Sequence, residues 1–148
     1  MVSFDETDIS ILNALIQDAR RSSRQVAKQC GVSIGTVLSR IKKMEKEGII
    51  TGYSAMLDHE KLGYELTVLT EITVSKGRLL EMEKEIARIP NVCCVYDVTG
   101  LTDAIIIAKF KTREELSKFT KSLLSMPFVE RTNTHVAFTT IKEDFRLL

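Results

Sequence analysis

The 148-residue chain carries 21 Lys and Arg against 20 Asp and Glu, a formal net charge of +1, with 44% hydrophobic and 28% charged residues. This globular composition excludes a largely disordered chain, and no apolar run approaches the ~18–20 residues of a membrane span. Three cysteines without a CxxC pair exclude a disulfide framework and a cysteine zinc site, and the start Met1-Val2-Ser3-Phe4-Asp5-Glu6 lacks the basic-then-apolar order of a secretory signal, so a soluble cytoplasmic protein is expected.

Asp5 precedes apolar positions Ile9, Leu12, Leu15, Ile16 and Ala19 at helical spacing. This predicts a first helix with Asp5 as its N-cap and Asp8 where a negative charge suits the helix dipole. Ser22 or Ser23 can cap a second, short helix that turns Val26, Ala27 and Cys30 inward, and Gly31 fits the left-handed C-terminal position. Ser33 offers a third N-cap two residues later. Behind it Ile34, Val37, Ile41 and Met44 form the expected inward row, up to a stop at Gly48. Two helices joined by so tight a glycine turn make a helix-turn-helix unit.

The outward side of the third helix carries Gly35, Thr36, Ser39, Arg40 and Lys43. Short polar residues near the helix start allow close approach to a major groove, and Arg40 and Lys43 can reach base edges or phosphates. Ser23 and Arg24 are available for phosphates. The charge distribution supports this. From Arg20 to Lys46 stand eight basic residues and a single acid, Glu45, whereas residues 54–148 hold thirteen basic and fourteen acidic ones. A solvated helix surface, or a packing module without DNA, accounts for charge or fold taken singly. The basic outward face of a helix-turn-helix favours double-stranded DNA.

From Glu65 to Val74 the chain alternates, with Leu66, Val68, Ile72 and Val74 on one face and Thr67, Glu71 and Thr73 on the other. Lys76-Gly77 ends this strand. Leu79, Leu80, Met82, Ile86 and Ile89 then mark an amphipathic helix, 91–98 a second strand and 104–110 a third. A second helix carries Leu116, Phe119, Leu123 and Leu124, and a last strand covers 129–139. Both prolines, Pro90 and Pro127, stop a helix just before a strand in the same register, which makes the unit an internal echo. The order β-α-β-β-α-β is the ferredoxin-like arrangement.

The third strand, Ala104-Ile105-Ile106-Ile107-Ala108, is apolar on both faces. Two helices cover one face of a four-stranded sheet, and a second copy is the economical cover for the other, so at least a homodimer is expected. The fold class is thus α+β, with a helix-turn-helix domain at 1–50, a linker at 51–64, and a ferredoxin-like oligomerisation domain at 65–148.

In this order and spacing, the chain resembles the Lrp/AsnC (feast/famine) transcriptional regulators along essentially its whole length. The matching residues are Asp5, Asp8-Ile9, Ile11-Leu12 and Asp18-Ala19-Arg20 in the first helix, Ala27 and Gly31-Val32-Ser33 at the turn, and Val37 and Arg40-Ile41 in the third helix. Gly48-Ile49-Ile50, Gly52-Tyr53, Leu57-Asp58 and Leu62-Gly63-Tyr64 are similar to the family's hinge and linker. Thr99-Gly100 and Asp103 are similar to its effector loop. The resemblance implies a winged-helix-like DNA-binding head, dimers or octamers of four dimers, and control by a small amino acid bound between dimers. By position, Gly100, Leu101, Thr102 and Asp103 would form that site, with Tyr96 upstream and Thr132 and Thr134 contributed by a neighbouring subunit. Asp103 can pair with an ammonium or cap a turn. The loop here is plainer than the family's, which often places an acid and aromatics around it, and His59 stands where a proline is common.

Enzymatic chemistry finds little support. His59 and His135 are the two histidines, and Cys93 and Cys94, adjacent on a strand, are expected to point to opposite faces and to pack. No P-loop, GxSxG, HExxH or EF-hand pattern occurs. No catalytic residue, metal or cofactor is expected beyond the amino-acid effector. Two alternatives stand beside DNA binding. A sirohaem-type tetrapyrrole decarboxylase of the same architecture would rely on histidines and basic residues in the sheet domain, whereas here the second and third strands hold no histidine and the basic block sits in the N-terminal third. An amino-acid sensor acting through a protein partner would show no salt-sensitive DNA affinity.

Overall fold

Helix ends in the N-terminal part are set by local capping chemistry. In this computed structural model, residues 4–75, 77 and 79–148 are described; Met1, Val2 and Ser3 and the Lys76 of the expected strand stop lie outside them. Helix α1 (Glu6–Gln17) starts at Asp5, whose carboxylate accepts the Asp8 amide at 2.9 Å while Asp8 accepts the Asp5 amide at 3.3 Å. This reciprocal box satisfies two amides that the helix cannot. Helix α2 (Ser23–Cys30) begins the same way, with Ser22 as cap and Gln25 as the returning partner. It ends at Gly31, whose φ of 68° is the left-handed turn that a Cβ would strain. Helix α3 (Ile34–Lys46) begins at Ser33, whose hydroxyl accepts the Thr36 amide at 3.0 Å.

Ile11, Ala14, Val26, Ala27, Val37 and Met44 form the core of this three-helix unit, with Leu12, Leu15, Cys30, Ile41, Ile49 and Ile50 packed around it. Three positions of the expected apolar rows turn outward: Ile9 and Ile34 are exposed, and so is Ala19, which lies beyond the end of α1 at Gln17. Apolar residues on adjacent rows of a short helix leave its phase open, and the neighbouring helices settle it. The segment 51–64, read as a hinge strand and linker, contains no strand among the described residues; the first strand starts at Leu66. A strand needs a neighbour for its N–H and C=O groups, and among the described residues no segment pairs with this one. Residues 59–63 fold into turns, where the Gly63 amide donates to the Glu60 carbonyl at 2.9 Å.

The second part forms a four-stranded antiparallel sheet in the order β2-β3-β1-β4, from β1 (Leu66–Val74), β2 (Val92–Asp97), β3 (Ala104–Phe110) and β4 (Val129–Val136). Helices α4 (Leu79–Ile86) and α5 (Arg113–Ser125) supply Met82, Ile86, Phe119 and Leu123 to a core with Val68, Ile72, Ala104, Ile106, Ala108 and Phe110. The Phe110 and Phe119 ring centroids lie 5.0 Å apart. Leu80 and Leu124, expected inward, are exposed. Between Val92 and Cys94 the ladder shifts register, so Cys93 is the extra residue of a bulge on an edge strand. The simple alternation expected for Cys93 and Cys94 is therefore broken, and Cys93 is exposed.

The chain divides into two compact units. The first runs to Met56 and includes Glu143–Leu148; the second is Leu57–Lys142.

Candidate nucleic-acid interface and effector loop

On α3, Gly35, Ser39, Lys42, Lys43 and Lys46 are exposed and Thr36 is half-buried. On α2, Arg24 and Lys28 are exposed and Ser23 is half-buried. The hydroxyl of Thr36 lies 2.8 Å from that of Ser33, and the Ser39 hydroxyl donates to the Thr36 carbonyl at 3.0 Å, so both are held close to the helix surface. Gly35 has ordinary backbone geometry, and a Cβ there would meet only the Ser33 hydroxyl, at 3.8 Å. Nothing among the described residues demands a glycine at this exposed position.

Arg40 has intramolecular partners. Its guanidinium reaches Asp5 at 2.7 Å and Asp8 at 3.0 Å, tying α3 to the capped start of α1. The Asp8 amide, and then Arg40, hold the Asp5 carboxyl below the usual carboxylate range against an opposing effect of burial. Asp5 in turn raises the Arg40 pKa further above its already high ordinary value. The acid of the basic block, Glu45, accepts a hydrogen bond from the Tyr53 hydroxyl at 3.0 Å. Burial first, then Glu45, raises the Tyr53 pKa. Leu38 and Lys42, not among the expected contacts, share the exposed half of α3; the charge of Lys42 was legible in the sequence, and the exposure of Leu38 was not.

In the sheet unit, the β2–β3 loop carries Gly100 at φ 131°, a conformation reserved largely for glycine, and its tip Leu101 is 97% exposed. Behind the tip the loop is tied to β1. The Thr102 hydroxyl donates to the Ile72 carbonyl at 2.7 Å, the Asp103 amide to the same carbonyl at 2.9 Å, and the Asp103 carboxylate accepts the Val74 amide at 2.8 Å. Thr132 pairs with Ile72 across β1 and β4, which brings it to the same end of the sheet. By register, Thr132 and Thr134 share the helix-covered face with Ile72 and Thr70, and the Thr134 and Thr70 hydroxyls lie 3.1 Å apart. Tyr96, opposite Ile105, is on the other face. Its hydroxyl is affected chiefly by Cys94, which raises its pKa. The seven expected effector residues therefore do not converge within one chain. Two clefts of about 450 and 400 Å³ lie beside α5 and α4, and neither is lined by a residue of the β2–β3 loop.

Among the described residues, no helix is long and apolar enough to cross a membrane, and no three His, Cys, Asp or Glu side chains are grouped to hold a metal.

A basic helix-turn-helix followed by a βαββαβ unit defines a DNA-binding regulator with a sensory or assembly domain. Comparison with known proteins agrees on both halves. Residues 4–51 match the family model for winged helix-turn-helix DNA-binding domains, and residues 67–147 match that for the Lrp/AsnC ligand binding domain. An uncharacterised HTH-type transcriptional regulator of Pyrococcus furiosus is 50% identical over 146 residues, covering 99% of both chains. The HTH-type transcriptional regulator FL11 of Pyrococcus horikoshii is 32% identical over 99% of this chain and 97% of its own. Among solved structures, Escherichia coli AsnC superposes with a TM-score of 0.90 at 25% identity over 99% of this chain and 100% of its own. A Neisseria meningitidis transcriptional regulator solved with L-methionine gives 0.89 at 26%, over 99% and 97%.

The chain belongs to the Lrp/AsnC family of transcriptional regulators. It is a sequence-specific DNA-binding regulator and not an enzyme, and its partners are DNA and further copies of itself.

Proposed function

We propose that the protein reads duplex DNA through α3, with Gly35, Thr36, Ser39, Lys42 and Lys43 at the groove and Ser23 and Arg24 on phosphates. The observation that carries this is the exposed cationic row on α3 beside a glycine that the fold itself does not require. In this reading Arg40 acts from inside the unit, setting the tilt of α3 through Asp5 and Asp8. This replaces the base contact expected for it from the sequence.

A small amino acid bound near Gly100–Asp103 modulates the regulator; the similar Neisseria meningitidis regulator was solved as a complex with L-methionine, which supports this reading. The loop is complete only when another copy faces it, since Tyr96 and Thr132 lie on opposite faces of one sheet. Pairing of sheets across the half-buried Ile105 and Ile107 gives the dimer, and four dimers give the larger ring. Such a ligand acts by favouring one assembly over another. The protein works in the cytoplasm, where DNA and amino acids are both at hand.

Titration of the purified protein onto DNA from upstream of its own gene, with and without a pool of amino acids, tests both parts. Tight, salt-dependent binding that shifts with the pool is the expected result. Binding at non-specific strength there and on a pool of random DNA would remove the DNA reading.

A further inference from the structure

Ile34 and Leu38 stand one turn apart on α3 and are 42% and 54% exposed. The three-helix core has no use for them: Val37 and Met44 close it, with Ile41 packed alongside. Each residue advances about 100° around a helix, so Leu38 lies about a quarter turn from Val37, on the outward half. One turn further along the same row stands Lys42, and the adjacent row holds Gly35 and Ser39. Two apolar side chains thus sit within an otherwise short, polar and cationic surface.

We propose that Leu38, flanked by Ile34, reads thymine 5-methyl groups in the major groove. This rests on the DNA-binding reading and gives the site a chemistry: each half-site presents a thymine to Leu38. The major groove offers few apolar contacts, and the thymine methyl is the principal one. The surrounding charge selects the occupant. Lys42, Lys43 and Lys46 complement phosphates, whereas a second copy on this face would oppose lysine to lysine. The nearby acid, Glu45, lies two turns along, about 10 Å by helix rise, and is engaged by Tyr53. The missing side chain at Gly35 lets the duplex come close enough for a leucine to touch a base edge.

The test uses the full-length protein and a duplex it selects from a random pool, resynthesised with each thymine replaced in turn by deoxyuridine. This removes one methyl group and leaves base pairing intact. Wild-type protein should lose about fourfold in affinity at one or two thymines per half-site, the effect of one buried methyl. Leu38→Ala and Leu38→Gln should bind the thymine duplex more weakly and become indifferent to deoxyuridine at those positions. A deoxyuridine profile in both variants identical to the wild type's would overturn the proposal and leave DNA binding intact. A change in oligomer mass in the variants would make this face an interface between copies and overturn it too. If selection enriches no sequence, base reading fails altogether and the proposal with it.

Discussion

Arg40 and Asp8, 32 residues apart, meet at 3.0 Å, and Asp8 is 2% exposed. Helix α3 is thereby fastened to the first turn of α1, because Asp8 is also the returning half of the α1 capping box. One carboxylate serves the start of one helix and the placement of another. Truncating it should therefore affect both. Asp8→Ala should destabilise the N-terminal unit by about 1–2 kcal/mol, in the range of a lost cap and its hydrogen bonds. Specific DNA affinity should fall as α3 loses its anchor. Arg40→Ala should likewise weaken specific binding, yet leave the salt dependence near that of wild type, because Arg40 faces carboxylates and not phosphates. Thermal melts and a salt series separate the two effects; a salt slope reduced by about 1 in Arg40→Ala would return Arg40 to the phosphate contacts.

The same cluster sets an acid limit. Because the folded-state pKa of Asp5 is depressed, its contribution is present above the unfolded value near ~3.9 and lost as pH falls through the folded one. The melting temperature should be insensitive to this group from pH 5 to 8 and drop below about pH 4. Asp5→Asn should narrow the difference between melts at pH 6 and pH 3, and an unchanged difference would remove Asp5 from the acid response.

Gly35 separates stability from function. Its backbone is not left-handed and a Cβ there has room. Gly35→Ala should therefore stabilise the fold by about 0.5–1 kcal/mol, the helix cost of glycine. It should also weaken DNA binding, since the added methyl stands between α3 and the groove. A variant that gains stability and keeps full affinity would show that the duplex does not approach this turn.

The open face of the sheet predicts an assembly mutant. Ile105 and Ile107 are half-buried there, beside the exposed Leu69. Ile107→Glu should yield a monomer by light scattering. It should retain its helical circular dichroism and lose affinity for a two-half-site duplex by about 10²–10⁴-fold, the avidity of linked heads. A dimer that survives this change would place the interface elsewhere.

Asp103 holds the Val74 amide, so a structural part is built into the effector loop. Asp103→Asn keeps an oxygen for that amide and removes the charge an ammonium would meet; it should keep the melting temperature and lose the amino-acid response. Asp103→Ala should lose the response too and destabilise the fold by about 1–3 kcal/mol through the unsatisfied amide. An Asn variant with an intact response would limit Asp103 to its turn.

What the sequence disclosed divides by distance along the chain. The caps at Asp5 and Ser33, the turn at Gly31 and the strands β1 and β3 rest on residues within a few positions of one another, and their chemistry is visible there. The phase of α3 is not, because Ile34 looks like a core residue until α1 and α2 are in place. Arg40 is an exposed cation in sequence and a clamp in structure only because Asp5 and Asp8 return to it from another helix. The inward threonines, Thr132 and Thr134, depend on the β1–β4 register. The stretch 51–64 finds no strand partner among the described residues, which sequence patterning does not reveal.

In the function proposed above, the exposed cations of α3 hold DNA. The most direct measurement is the salt dependence of affinity for a selected duplex, compared between the wild type and Lys43→Ala. A linear fall of log affinity with log salt, with a slope reduced by about 1 in the variant, is the predicted result. A wild-type affinity that does not respond to salt, or a slope that the variant leaves unchanged, would contradict it.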